Sequence, residues 1–300
     1  MSPERTIQLI AAPSILGFRP TGVEKLPEAL LKQGLKEKLK SKNPVVYVPV
    51  FNNAYDPERS KTTFLLNEQT LLPFSLSLSR AILQLSRDNV FPLVLGGDCS
   101  ILIGIMAALK SKGPYGLIFY DAHADFYLPE QSTTGEAADM DLALVTGRGP
   151  DSLTDLGSLR PYVKEEHVFH IGQRDAEEAK RYGSKAIQDT AIHCFDWQLF
   201  RNNDPDRIID MIVTKANALE LDGYWLHFDT DVLSDDENPA VDYRLPGGFT
   251  FAECEHLLKK IMASVPIAGM SVTIFNPSLD PDGRIASRLV QCMERVFTNE

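Results

Sequence analysis

Three hundred residues, 44% of them hydrophobic, are enough to bury a large core, and nothing in the composition marks disorder. Thirty Lys and Arg against 41 Asp and Glu leave a formal charge of −11, and no basic cluster outruns the stretch 36–42, which argues against a nucleic-acid or anionic-membrane surface. No apolar run approaches the roughly 20 residues that cross a bilayer, and the N-terminus lacks a basic region followed by an apolar segment, so a soluble cytoplasmic protein is expected. The four cysteines, Cys99, Cys194, Cys254 and Cys292, are scattered without a CxxC pair and should be reduced thiols.

In chain order, short β-rich runs alternate with helical ones. Strands are expected at 7–11, 45–50, 91–95, 116–120, 168–171, 192–195, 224–228 and 267–274. Helices are expected at 26–33, 71–87, 100–110, 175–182, 205–218, 250–263 and 285–297. That alternation is the pattern of a parallel sheet covered by helices on both faces, and eight strands suit one open sheet. The Pro- and Gly-bearing stretches 127–135, 147–150 and 238–248 follow proposed strands and read as site loops, so a single domain over 1–300 is expected.

Two acidic runs carry the chemistry: Asp121-Ala122-His123-Ala124-Asp125 and His227-Phe228-Asp229-Thr230-Asp231. Ionisable groups two apart at the end of an apolar run project from one side of an extended backbone. Carboxylates gathered there without a cation would raise one another's pKa, whereas divalent ions neutralise them, and oxygen donors with one imidazole suit Mn, Mg, Fe or Zn. Gly96-Gly97-Asp98-Cys99-Ser100 follows another strand. In open parallel sheets the ligand crevice lies beyond the carboxyl ends of the strands, so all three motifs should open onto one edge.

Taken together, these three motifs and Asn276-Pro277 after the last strand resemble the arginase, or ureohydrolase, family, over nearly the whole chain. The resemblance implies a three-layer α/β/α sandwich with an eight-stranded parallel sheet and two Mn ions bridged by a hydroxide that attacks a guanidinium carbon. By position, one metal would take Cys99, Asp121, Asp125 and Asp229, and the second Asp121, His123, Asp229 and Asp231. A homo-oligomer, trimer or hexamer, is implied as well.

The chain departs from the family at four places. Cys99 stands where the family usually has His; a thiolate would shift preference toward Zn or Fe, whereas a protonated thiol would leave that site weak. Ala138 stands at the position of a proton-shuttling His, which leaves Glu136 as the expected acid or base, with Asp139 and Asp141 read as helix caps. Ile274 stands where a Glu pairs with guanidinium, so arginine is a poor substrate and a neutral or less basic group is favoured. Head-group contacts fall to Tyr127, Ser132, Thr134 and Glu177, and Arg174 with Asp175 reads as an ion pair fixing a turn. His227 points the same way as Asp229 and reads either as support behind the ligands or as an edge-of-core histidine.

The expected function is therefore a metal-dependent hydrolase of linear C–N bonds acting on a small nitrogenous molecule such as an amidine, hydroxyguanidine or amide. Two competitors remain: a catalytically silent arginase-fold protein that binds a ligand or partner, and a deacetylase-like amidohydrolase with a single metal held by the His123 set.

Overall fold

The computed structural model describes residues 6–85 and 89–298. Eight strands form one sheet: β1 (Thr6–Ala12), β2 (Val46–Tyr47), β3 (Val90–Gly96), β4 (Tyr115–Tyr120), β5 (Val168–Ile171), β6 (His193–Phe195), β7 (Gly223–Asp229) and β8 (Ile267–Thr273). Their order is β2-β1-β3-β8-β7-β4-β5-β6, and every neighbouring pair is parallel. The interior strands are apolar almost without interruption because both faces are covered, as parallel sheets require.

Alternate residues feed two separate cores. On one face Tyr120, Leu226 and Phe228 pack with helices Leu26–Lys32, Pro205–Asn217, Phe251–Ser264 and Arg284–Phe297. On the other, Leu117, Phe119 and Trp225 pack with helices Glu68–Gln84, Ile101–Lys110 and Asp141–Val145. The result is a helix–sheet–helix sandwich. The expected end of one helix at Arg87 lies outside the described residues. The edge strand expected over 45–50 pairs with β1 only at Val46 and Tyr47. Among the described residues no helix is long and apolar enough to cross a membrane, and all four cysteines are free thiols.

Strands β3, β8, β7 and β4 are contiguous, so the loops after them share one edge of the sheet. The turn after β3 depends on Gly97, where a Cβ would lie 1.9 Å from the Ser14 carbonyl oxygen. That close approach lets Asp98 N–H donate to Ser14 and the Ile274 N–H donate to the Gly97 carbonyl, at 3.2 and 2.9 Å. Asp98 then accepts from Gly17 N–H and from both the backbone and the hydroxyl of Ser100. Three strand ends are thereby tied together beside Cys99.

Candidate metal centre

The carboxyl ends of these strands open into a cleft of about 480 Å³. Cys99, His123, Asp125, Asp229 and Asp231 line it, and Asp121 lies fully buried beside them. Two donor clusters form, each with its donor atoms within 4.8 Å of one another: Cys99, Asp121, His227 and Asp229, and Asp121, His123 and Asp231. Asp121 belongs to both. Asp125 lines the cleft with an unusual left-handed backbone, φ 44°, and lies outside both clusters; His227 stands in the first cluster instead.

The Cys99 thiol donates to Asp229 Oδ2 at 2.7 Å and lies 3.2 Å from Thr273 Oγ1. Burial, and then the charges of Asp229, Asp141, Asp121 and Asp125, push this thiol well above the ordinary range. His123 Nδ1 lies 2.8 Å from Asp231 Oδ2, and its backbone carbonyl meets His170 Nε2 at 2.7 Å. Burial alone would lower the His123 pKa; the Asp231 charge and hydrogen bond outweigh it and carry it to about 10. Asp231 shows the reciprocal effect. Burial pushes its carboxyl upward, but His123 and then Arg174 hold it below the usual range. Burial and neighbouring carboxylates raise Asp121, Asp125 and Asp229 well above that range.

Such mutual repulsion is what a divalent cation relieves. A further observation fits one: Asp121 Oδ2 is buried, and among the described residues no donor reaches it. A buried carboxylate oxygen left unpaired is costly, and this one belongs to the residue shared by both clusters.

The proposed substrate contacts divide. Tyr127, Ser132 and Thr134 line the cleft, although the two hydroxyls also hold their own turn: Ser132 accepts from Thr134 and Gly135 N–H, and Thr134 donates to Asp139 at 2.6 Å. Glu177 is exposed and outside the lining; its neighbour Glu178, one helical step around, faces the cleft. Ile274 lies on the wall at φ 70°, with Phe18, Ala138 and Val241 in the apolar cluster that surrounds Cys99.

The acids of the 136–141 loop are placed otherwise than expected. Glu136 is fully buried, pairs with Arg19 Nε at 2.7 Å, and accepts from the Tyr243 hydroxyl at 3.3 Å. Glu136 does not line the cleft, whereas its partner Tyr243 does. Asp139 caps no helix; it accepts from Thr134 and faces the cleft, and burial raises its pKa. Asp141 makes no side-chain capping bond either, and among the described residues neither of its buried carboxylate oxygens has a hydrogen-bond partner. Arg174 does not pair with Asp175. Its guanidinium donates to the backbone carbonyls of Asp231 and Leu245, fixing the second acidic run, and Asp175 accepts from Ala124 N–H and Gln173.

This constellation on this sheet defines a class. The chain belongs to the arginase family, whose profile matches residues 6–296. It is 31% identical over 304 residues to an arginase of Staphylococcus aureus (strain MSSA476), covering 99% of this chain and 98% of that one. The structure of the Bacillus caldovelox arginase superposes with a TM-score of 0.88 at 28% identity, covering 99% of each chain. The fold extends to a formimidoylglutamase of Bacillus subtilis subsp. subtilis str. 168, TM-score 0.71 at 17% identity, covering 98% of this chain and 86% of that one.

Proposed function

We propose that the protein is a metal-dependent hydrolase of linear carbon–nitrogen bonds, one domain over its whole length, whose reacting group is an amidine, hydroxyguanidine or amide. The observation that carries this is the pair of donor clusters sharing Asp121 at the end of four contiguous strands. Cys99, Asp121 and Asp229 would hold one divalent ion and Asp121, His123 and Asp231 another, with Asp125 beside them. When bound, the ions would supply an activated water and electrostatic stabilisation of charge developing on the substrate.

The remaining roles belong to the chain. The apolar wall of Phe18, Ala138 and Ile274 offers the reacting group no carboxylate, which disfavours the guanidinium of arginine itself. Asp242 and Glu178 also face the cleft and suit a substrate with a basic tail, and Tyr127 lines it as well. Asp139, its proton affinity raised and its carboxylate fixed by Thr134, is placed to hand a proton to the leaving amine. Glu136 positions Tyr243 and Arg19 from behind. Mn accords with the family and with the oxygen-rich second cluster, and Zn or Fe with the sulfur at Cys99. A homo-oligomer accords with the same relationship.

The test is a panel of amidines, hydroxyguanidines and amides, with arginine as comparator, assayed for ammonia and urea release after Mn and after Zn loading. Turnover of a non-arginine substrate that is lost in Asp139→Asn supports the reading; arginine as the preferred substrate, or no turnover by metal-loaded protein, contradicts it.

A further inference from the structure

His227 is the one donor in the clusters that the ligand assignment above leaves unused. Strand register explains its position. It pairs with Ser271 on β8 and Phe119 on β4, two residues before Asp229 pairs with Thr273, so the His227 and Asp229 side chains leave the same face. The ring is fully buried and stacks on Phe119 at 5.0 Å between centroids and 13° between planes. Its Nδ1 lies 2.9 Å from Ser271 Oγ, which also accepts the Trp225 indole N–H at 3.0 Å. Its Nε2 faces the other way, 3.4 Å from Thr273 Oγ1, the hydroxyl that also meets Cys99 Sγ at 3.2 Å and Asp229 Oδ2 at 3.4 Å.

We propose that His227 is itself a metal ligand, Nε2 joining Cys99 Sγ, Asp121 and Asp229 around one divalent ion. The proposal rests on the reading above that the cluster holds metal, and it adds a ligand and a selectivity. All four donor atoms already lie within 4.8 Å of one another, and the unpaired Asp121 Oδ2 stands among buried neighbours. Bonds of about 2.0 to 2.3 Å to a tetrahedral ion need donors roughly 3.5 Å apart, so a modest rearrangement closes the site. Ligating histidines bond through one ring nitrogen and donate the other N–H to a fixed acceptor, the part Ser271 plays here, with Trp225 holding Ser271 in turn. One sulfur, one imidazole and two carboxylates favour Zn or Fe(II) over Mn, whereas the Asp121, His123 and Asp231 cluster carries no sulfur. The two positions are therefore chemically unequal.

X-ray absorption at the zinc edge of the full-length, zinc-loaded protein decides this, because imidazole scattering is counted directly. The expected spectrum has two zincs per chain sharing one sulfur and two imidazoles, from His123 and His227. His227→Ser should lower the count to one imidazole with the sulfur retained, and Thr273→Val, which removes the bridging hydroxyl but leaves the ring, should keep both. Two zincs sharing a single imidazole in the wild type would overturn the proposal and leave His227 as support for Thr273, with the hydrolase reading intact. Failure to bind zinc at all removes the ligand proposal, and failure to bind manganese as well removes the hydrolase reading with it. The expected spectrum without turnover of any substrate removes only the hydrolase reading.

Discussion

At the scale of single residues, the centre brings together groups that are unfavourable as neighbours without a cation. Cys99 is buried against Asp229, and its thiol proton affinity is raised by burial and four acids, so only a bound cation would make it a sulfur ligand as proposed. Cys99→Ala should therefore lower bound metal from two ions to one per chain, read by elemental analysis after dialysis, with the His123 cluster retained. Unchanged stoichiometry would place the first ion elsewhere. Glu136 offers a pH-dependent test away from the ligands. Burial, and then the Asp139 charge, raise its pKa from 4.5 to about 7 against the opposing Arg19 and Tyr243 bonds. A folded-state value above the unfolded one means that Glu136 stabilises at low pH and that this contribution is lost as pH rises through about 7. Glu136→Gln cannot ionise. Its stability relative to wild type should improve by on the order of 2 kcal/mol between about pH 5 and 8.5, measured by urea unfolding at both. A constant gap would show that the Arg19 pair outweighs burial.

At the scale of elements, the strand ends decide where chemistry falls, and their turns are correspondingly intolerant. Gly97→Ala places a methyl 1.9 Å from the Ser14 carbonyl, so the loop carrying Asp98 and Cys99 must move. A loss of about 2–3 kcal/mol is expected, together with weakened metal retention; retained metal at wild-type affinity would show that the loop absorbs the displacement. The helix Phe251–Ser264 carries a complete capping box, Thr250 accepting from Glu253 N–H and Glu253 from Thr250 N–H. Thr250→Ala should cost about 1 kcal/mol without touching metal content. These elements also show what a sequence discloses. Interior strands were legible because both covered faces demand apolar residues, and the acidic pairs because alternate residues share a side. The short helix Trp197–Asn202 was not; it depends on a local cap, Asp196 accepting from Leu199 N–H. The fate of Glu136 was not legible either, since Arg19 lies 117 residues from it. The side His227 takes was legible from its spacing to Asp229, but its partners Ser271 and Thr273 come from the pairing of β7 with β8. The left-handed backbone at Asp125 and at Ile274, the latter unusual because isoleucine is β-branched, is accompanied by tertiary contacts such as the Ile274 bond to Gly97.

At the scale of the molecule, a net charge of −11 and a cleft walled by acids set the protein's stability against its own site. Asp121, Asp125 and Asp229 are raised above the usual carboxylate range first by burial and then by neighbouring charge, so they hold protons more tightly folded than unfolded. The sign follows: their contribution is fully present below the unfolded value near 4 and is lost as pH rises through the raised folded values. Without metal, the fold should therefore weaken from about pH 5 to pH 8. Bound divalent ions replace those protons, and at about a thousandfold excess over Kd they stabilise the native state by about 4 kcal/mol, a rise in Tm of roughly 8 °C for a chain of this size. At low pH protons compete for the same oxygens, so the metal-induced rise should be small near pH 5 and grow toward pH 8. Thermal unfolding of chelator-treated and metal-loaded protein across that range measures both trends. A rise in Tm of equal size at every pH would mean that the stabilising ions bind groups that do not titrate there, and the acidic cleft would no longer account for them.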